Sequence, residues 1–175
     1  AIDDCRAAYR WLSNPEAEHG LTVTSIAVAG DSAGGQLAAT LANEFTGRED
    51  TAKLSAQVLL YPITDCSRER TENGASYKRL EEGFPLTANT MRWFIDTFVT
   101  EESQRTATDL SPLLLDELRL PRESLQLYTF GDSWNDLPMH AIADTSHSFH
   151  HSPAEVRAAT GRVIGSVSEV LGEYM

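Results

Sequence analysis

Residues 28–39 read VAGDSAGGQLAA, with a serine set between glycines and a run of helix formers behind it. The six residues 25–30, SIAVAG, form a short apolar run with β-branched members, the pattern of a buried strand. Residues 33–45, AGGQLAATLANEF, predict a helix closed near Gly47. Gly30-Asp31-Ser32-Ala33-Gly34 is therefore a G-x-S-x-G pattern caught between a strand and a helix, the context that makes the pattern informative. A sharp strand-to-helix turn lifts the serine side chain clear of the sheet and strains its backbone. Strand and helix then approach so closely that side chains two positions either side would clash, which is the expected reason for Gly30 and Gly34. The helix behind the serine supplies N–H groups and the positive end of its dipole, so the Ala33 N–H is the expected oxyanion donor. Two other readings remain: a glycine-bearing turn with an incidental serine, and a phosphate-binding turn. The second lacks both the Gly-Lys-Ser/Thr ending of a P-loop and the dinucleotide spacing of glycines.

A serine hydroxyl becomes a useful nucleophile only when a base takes its proton and a carboxylate orients that base. The chain offers His19, His140, His147, His150 and His151. Asp132 follows an expected strand at 124–130, and His147 falls in an expected loop before a closing helix at 154–172. Those places suit an acid and a base. His150 and His151 stand as rivals to His147, while His19 and His140 are expected in surface or packing roles.

Working outward, Ile2, Cys5, Ala8, Tyr9 and Leu12 fall at helical spacing over 2–13. Residues 55–62, SAQVLLYP, predict a second buried strand stopped by Pro62. Thr87 is a plausible N-cap for a helix over 87–99 with Met91, Phe94, Ile95 and Phe98 on one face. Residues 139–143, MHAIA, read as a short strand. Strands alternating with helices predict an α/β fold, a mostly parallel sheet with flanking helices, in one domain over 1–175, with 63–124 as a partial lid or insert.

Bulk properties narrow the class. A formal charge of −12 over 175 residues leaves no basic stripe for nucleic acid or an anionic membrane surface. Cys5 and Cys66 are too few for a disulfide framework and badly spaced for zinc, so buried free thiols are expected. No apolar run reaches the roughly 20 residues of a membrane span, and no signal segment opens the chain. A cytoplasmic location is the expectation.

With serine, acid and base in that order, the chain resembles the hormone-sensitive-lipase group of α/β-hydrolases. VAGDSAGGQLAATLA, with GDSAGG inside it, looks like that family's nucleophile block. YRWLSNPEAEHGL resembles the helix and turn before the nucleophile strand, and QVLLYPITD the strand after it. PLTANTMRWFIDTFV and LSPLL resemble the segments that follow. TFGDSWND matches the family's D-x-L-x-D loop with Trp134 in place of leucine, and HSF at 147–149 stands where the family has H-G-F. The resemblance implies Ser32 as nucleophile, Asp132 as acid and His147 as base. Asp136 would be the loop's second carboxylate, and Asp31, Trp93 and Phe94 would lie against substrate. It implies a carboxylic ester hydrolase acting through an acyl-enzyme on small-molecule esters, with no metal and no cofactor.

Two departures qualify the expectation. The family's HGGG oxyanion loop lies upstream of the nucleophile, and this sequence starts after it. Only Ser133–Pro138 separate the acid loop from the expected strand at 139–143, whereas a parallel crossover takes about a dozen residues. The chain thus reads as an esterase with its front and one internal segment removed, and a non-catalytic binder or inactive remnant is the competing reading. An exposed sheet edge would then favour self-association.

Overall fold

A computed structural model describes residues 1–83, 86–114, 128–141 and 143–173. The chain opens with α1 (Ile2–Ser13), whose Asp3 and Asp4 sit in the first turn and Arg10 in the last, each complementing the helix dipole. Then come β1 (Ser25–Asp31), α2 (Ala33–Phe45) and β2 (Lys53–Leu60). After them follow α3 (Ala75–Arg79), α4 (Ala88–Phe98), β3 (Tyr128–Phe130) and α5 (Leu137–His140). The chain closes with β4 (Thr145–Phe149), α6 (Ala154–Ala158), β5 (Arg162–Ile164) and α7 (Val167–Leu171).

The five strands form one parallel sheet in sequential order, β1-β2-β3-β4-β5. The α/β class with a parallel sheet and flanking helices is as expected. Because every strand runs the same way, the residues that leave the strand ends, among them Ser32, Tyr61, Asp132 and His151, emerge on one rim.

The core has three parts. Val28 of β1, with Ile26, Leu54 and Leu59 beside it, packs on Tyr9 of α1 and on Ala38, Leu41, Ala42 and Phe45 of α2. Tyr9 stacks on Phe45 with centroids 4.2 Å apart and donates its hydroxyl to the Ala52 carbonyl at 3.0 Å. Cys66, Ile95, Val99 and Leu110 form a second cluster, and Phe130, Ile164 and Val170 a third. Cys66 is a buried free thiol as expected, whereas Cys5 is only half-buried.

Three local expectations need correction. Residues 137–140 are helical, not part of a strand at 139–143. The strand comes later, at Thr145–Phe149, so the crossover from β3 spans residues 131–144 and is long enough for parallel pairing. The expected closing helix at 154–172 is interrupted. Gly161 ends its first turns by donating its N–H to Ser146 Oγ at 3.0 Å, and the β-branched pair Val163-Ile164 then pairs with β4 as β5. On α4, Ile95 is buried as expected, but Phe94 and Phe98 lie outside that face and are exposed. Residues 124–127 of the expected third strand lie outside the described residues.

Candidate active site

Ser32 joins β1 to α2 with φ 51° and ψ −116°, a left-handed conformation that a non-glycine residue adopts only under constraint. The constraint is visible on both sides. The Ser32 N–H donates to the Leu60 carbonyl at 2.9 Å, and its own carbonyl accepts from Ile63 at 3.3 Å and Gln36 at 3.2 Å. A Cβ on Gly30 would stand 2.1 Å from the Gly34 carbonyl oxygen, inside any tolerable contact. The second steric glycine is Gly35 and not the expected Gly34. A Cβ on Gly35 would lie 2.9 Å from Pro62 Cβ, whereas one on Gly34 would meet only Asp31 Oδ1, at 3.9 Å. The Ser32 side chain makes no capping bond to α2, so its hydroxyl is not committed to the helix start. The first N–H groups of α2, Ala33 included, have no intrahelical acceptor by construction.

Helix α2 is clamped from behind. Buried Gln36 donates Nε2 to the Leu110 carbonyl at 2.6 Å, and Thr40 donates to the Asp109 carbonyl at 2.9 Å. These bonds tie α2 to the chain at Asp109 and Leu110. Fully buried Ser111 in turn accepts from the Cys66 N–H at 2.8 Å.

Asp31, the last residue of β1, and Ala33 are exposed beside Ser32. Trp93 and Phe94 sit on α4 with ring centroids 5.2 Å apart, 62% and 48% exposed, so both rings face solvent. Tyr61, which sequence reading missed, leaves β2 with φ 37° and is 57% exposed. A tyrosine before Pro62 carries no sequence signal for a left-handed backbone.

The loop carrying Asp132 follows β3. Asp132 is exposed, and the N–H groups of Asp132 and Ser133 donate to Asp136 Oδ2 at 2.9 and 3.1 Å. Asp136 is buried, and burial pushes its carboxyl pKa up, against those two N–H bonds. It shapes the loop that presents Asp132. A Cβ on Gly131 would overlap Asp136, which explains the glycine.

A family profile for the alpha/beta hydrolase fold matches residues 1–131. The chain belongs to the α/β-hydrolase family. Among its relatives, ethyl acetate hydrolase of Pseudomonas putida is 38% identical over 114 residues, covering 65% of this chain and 35% of that protein. Carboxylic ester hydrolase LipN of Mycobacterium tuberculosis is 33% identical over 123 residues, 67% of this chain and 32% of that protein. Vibralactone cyclase shares the fold, with TM-score 0.51 and 16% identity over 85% of this chain and 38% of the other. The hormone-sensitive-lipase-like resemblance is upheld by the family match and these esterase relatives. The chain spans about a third of the length of the curated relatives it matches.

Within this α/β-hydrolase the histidines divide sharply. His147 is not in a loop: it lies in the middle of β4, opposite Phe130, and is wholly buried. Its Nδ1 lies 3.2 Å from the Thr129 carbonyl, and its ring stacks on Phe130 at 4.6 Å. Its Nε2 is enclosed without a hydrogen-bond partner among the described residues, and burial lowers its pKa from the ordinary 6.5. His140, also buried and lowered by burial, places Nδ1 2.9 Å from Thr129 Oγ1. His19 packs edge-on against Trp11 and accepts from the Leu21 N–H at 3.0 Å. His151 stands apart: exposed in the turn after β4, it places Nε2 3.7 Å from Asp132 Oδ2, with Phe149 stacked 5.4 Å away.

No group of metal-ligating side chains occurs among the described residues, and no described helix is long and apolar enough to cross a membrane.

Proposed function

We propose that this chain carries the nucleophile, acid and base of a carboxylic ester hydrolase acting on small-molecule esters. The observation that carries the proposal is the conformation of Ser32, a left-handed residue locked between Gly30, Gly35 and Pro62 and aimed from the strand rim. Ser32 Oγ attacks the ester carbonyl, and an imidazole from the His147–His151 stretch at the end of β4 takes its proton. Asp132 holds that imidazole. The Ala33 N–H, at the positive end of α2, donates to the developing oxyanion, a bond worth about 10²–10³ in rate. The acyl-enzyme then gives way to water by the same route in reverse. Asp31 borders the carbonyl site, and Trp93 and Phe94 offer the apolar surface nearest to a lid. This mechanism calls for no metal or cofactor. The relative named ethyl acetate hydrolase supports short acyl groups, and the one named carboxylic ester hydrolase supports the ester class.

The test is labelling by a fluorophosphonate probe together with turnover of p-nitrophenyl acetate. Both are expected in the native chain and lost in Ser32→Ala. Labelling that survives in Ser32→Ala overturns the reading. A chain that melts cooperatively yet neither labels nor turns over is a binder on the same fold.

A further inference from the structure

Among the described residues only two besides glycine hold a positive φ, Ser32 at 51° and Tyr61 at 37°. They are neighbours. Asp31 pairs with Leu60 at the end of β1 and β2, so Ser32 and Tyr61 are the next residue out on each strand. The Ser32 N–H donates to the Leu60 carbonyl at 2.9 Å, and the Ile63 N–H donates to the Ser32 carbonyl at 3.3 Å. Those two bonds bracket Tyr61 and Pro62. We propose that the Tyr61 ring walls the β2 side of the ester site and sets its size limit, an assignment that rests on the hydrolase reading above and deepens it.

For Leu60 and Ile63 both to reach Ser32, the chain between them must turn within two residues. Pro62 has its φ fixed near about −65°. It is also packed against α2, where a Cβ on Gly35 would lie 2.9 Å from Pro62 Cβ. The left-handed dihedral therefore falls to Tyr61. Glycine adopts such a φ freely, whereas a bulky residue does so at a cost. Strain of this kind persists where the surrounding bonds over-determine it, and it gathers at functional sites. A tyrosine standing where glycine would be relaxed points to a use for the ring.

The ring is not held as core. Leu59 and Leu60, just before it, pack into two separate core clusters, while Tyr61 is 57% exposed. Its contribution lies at the rim, as a flat apolar surface with a hydroxyl at its tip. The strand order makes that place specific. In the described sheet β1 is an edge strand, so β2 is the one strand beside Ser32, and Tyr61 is the residue that leaves it there. Adjacent strands are about 4.8 Å apart, a distance that a tyrosine side chain covers. A substituent on a carbonyl carbon bound to Ser32 Oγ that extends toward β2 meets this ring. A short group fits beside it, and a long one collides.

The experiment compares the rates at which Ser32 is labelled by two fluorophosphonates, one with ethyl substituents and one with a long alkyl chain. The proteins are the native chain, Tyr61→Gly, Tyr61→Ala and Tyr61→Phe, each also melted thermally. The rate ratio, long chain over ethyl, is expected to rise about 10-fold in Tyr61→Gly and in Tyr61→Ala, and to keep its native value in Tyr61→Phe. Tyr61→Gly should melt above Tyr61→Ala, because only glycine relieves the backbone. A native ratio in both Tyr61→Gly and Tyr61→Ala overturns the assignment while leaving the hydrolase reading standing. A rise in only one of them traces selectivity to the backbone, and a rise in Tyr61→Phe traces it to the hydroxyl; either result also overturns the assignment to the ring. If Tyr61→Ala does not fold, the Tyr61→Gly and Tyr61→Phe arms decide alone. Absence of labelling in the folded native chain overturns both readings.

Discussion

Ser32 is held in a backbone conformation that costs on the order of 1–2 kcal/mol for a residue with a Cβ, and the glycines around it show how. Gly30 and Gly35 admit no methyl group, because it would meet the Gly34 carbonyl and Pro62. Gly34 admits one. Gly30→Ala is therefore expected to destabilise by about 3 kcal/mol or more, the upper end of overpacking. Gly34→Ala should be neutral or stabilise by up to about 1 kcal/mol through helix propensity. Urea titration of the two variants reads the difference, and equal midpoints would contradict the steric argument. The buried imidazoles give a second prediction. His147 and His140 have pKa values lowered by burial, so the folded chain keeps them neutral where the unfolded chain protonates them. Their contribution is complete above the ordinary 6.5 and is lost as pH falls below it. The urea midpoint should be lower at about pH 5.5 than at about pH 7.5, and His147→Phe should flatten that slope. Asp136 acts with the opposite sign in a more acidic window: its raised pKa means stability is lost as pH climbs above the ordinary carboxylate range.

At the scale of the element, α4 begins where its sequence says it should. Thr87 Oγ1 accepts from the Thr90 N–H at 3.2 Å, so Thr87→Ala should cost about 1 kcal/mol, measurable by thermal melt, with no loss of labelling. Such caps, and apolar runs such as SIAVAG and SAQVLLYP, are written locally and could be read from the sequence. The turn at Ser32 is legible for the same reason, since its glycines sit next to the serine in the chain. What could not be read was written non-locally. TSHSF looks like a loop because it is polar. It is a central strand because Ser146, His147 and Ser148 find partners in Gly161, Thr129 and Thr160. The spacing of Val156, Val163, Val167 and Val170 imitates one helix, yet two short helices bury Val156 and Val170 while the strand between them buries Ile164 and leaves Val163 exposed.

For the whole molecule, sequential parallel order leaves β1 at one edge of the described sheet. Val28 is covered by α1 and α2, while Ala27 and Ala29 on the other face are exposed. An edge whose one charge is the terminal Asp31 is expected to pair with a second copy as concentration rises. Sedimentation across a concentration series should show the mass increase, and Ala27→Lys should suppress it. The same one-way strand order separates the molecule into two ends with different duties. Ser32, Tyr61 and Asp132 leave by the carboxyl ends of the strands, whereas the turn carrying exposed Glu49 feeds the opposite end of β2. A surface-reactive thiol introduced there by Glu49→Cys would let the protein be fixed to a bead or electrode with its working side turned to the liquid.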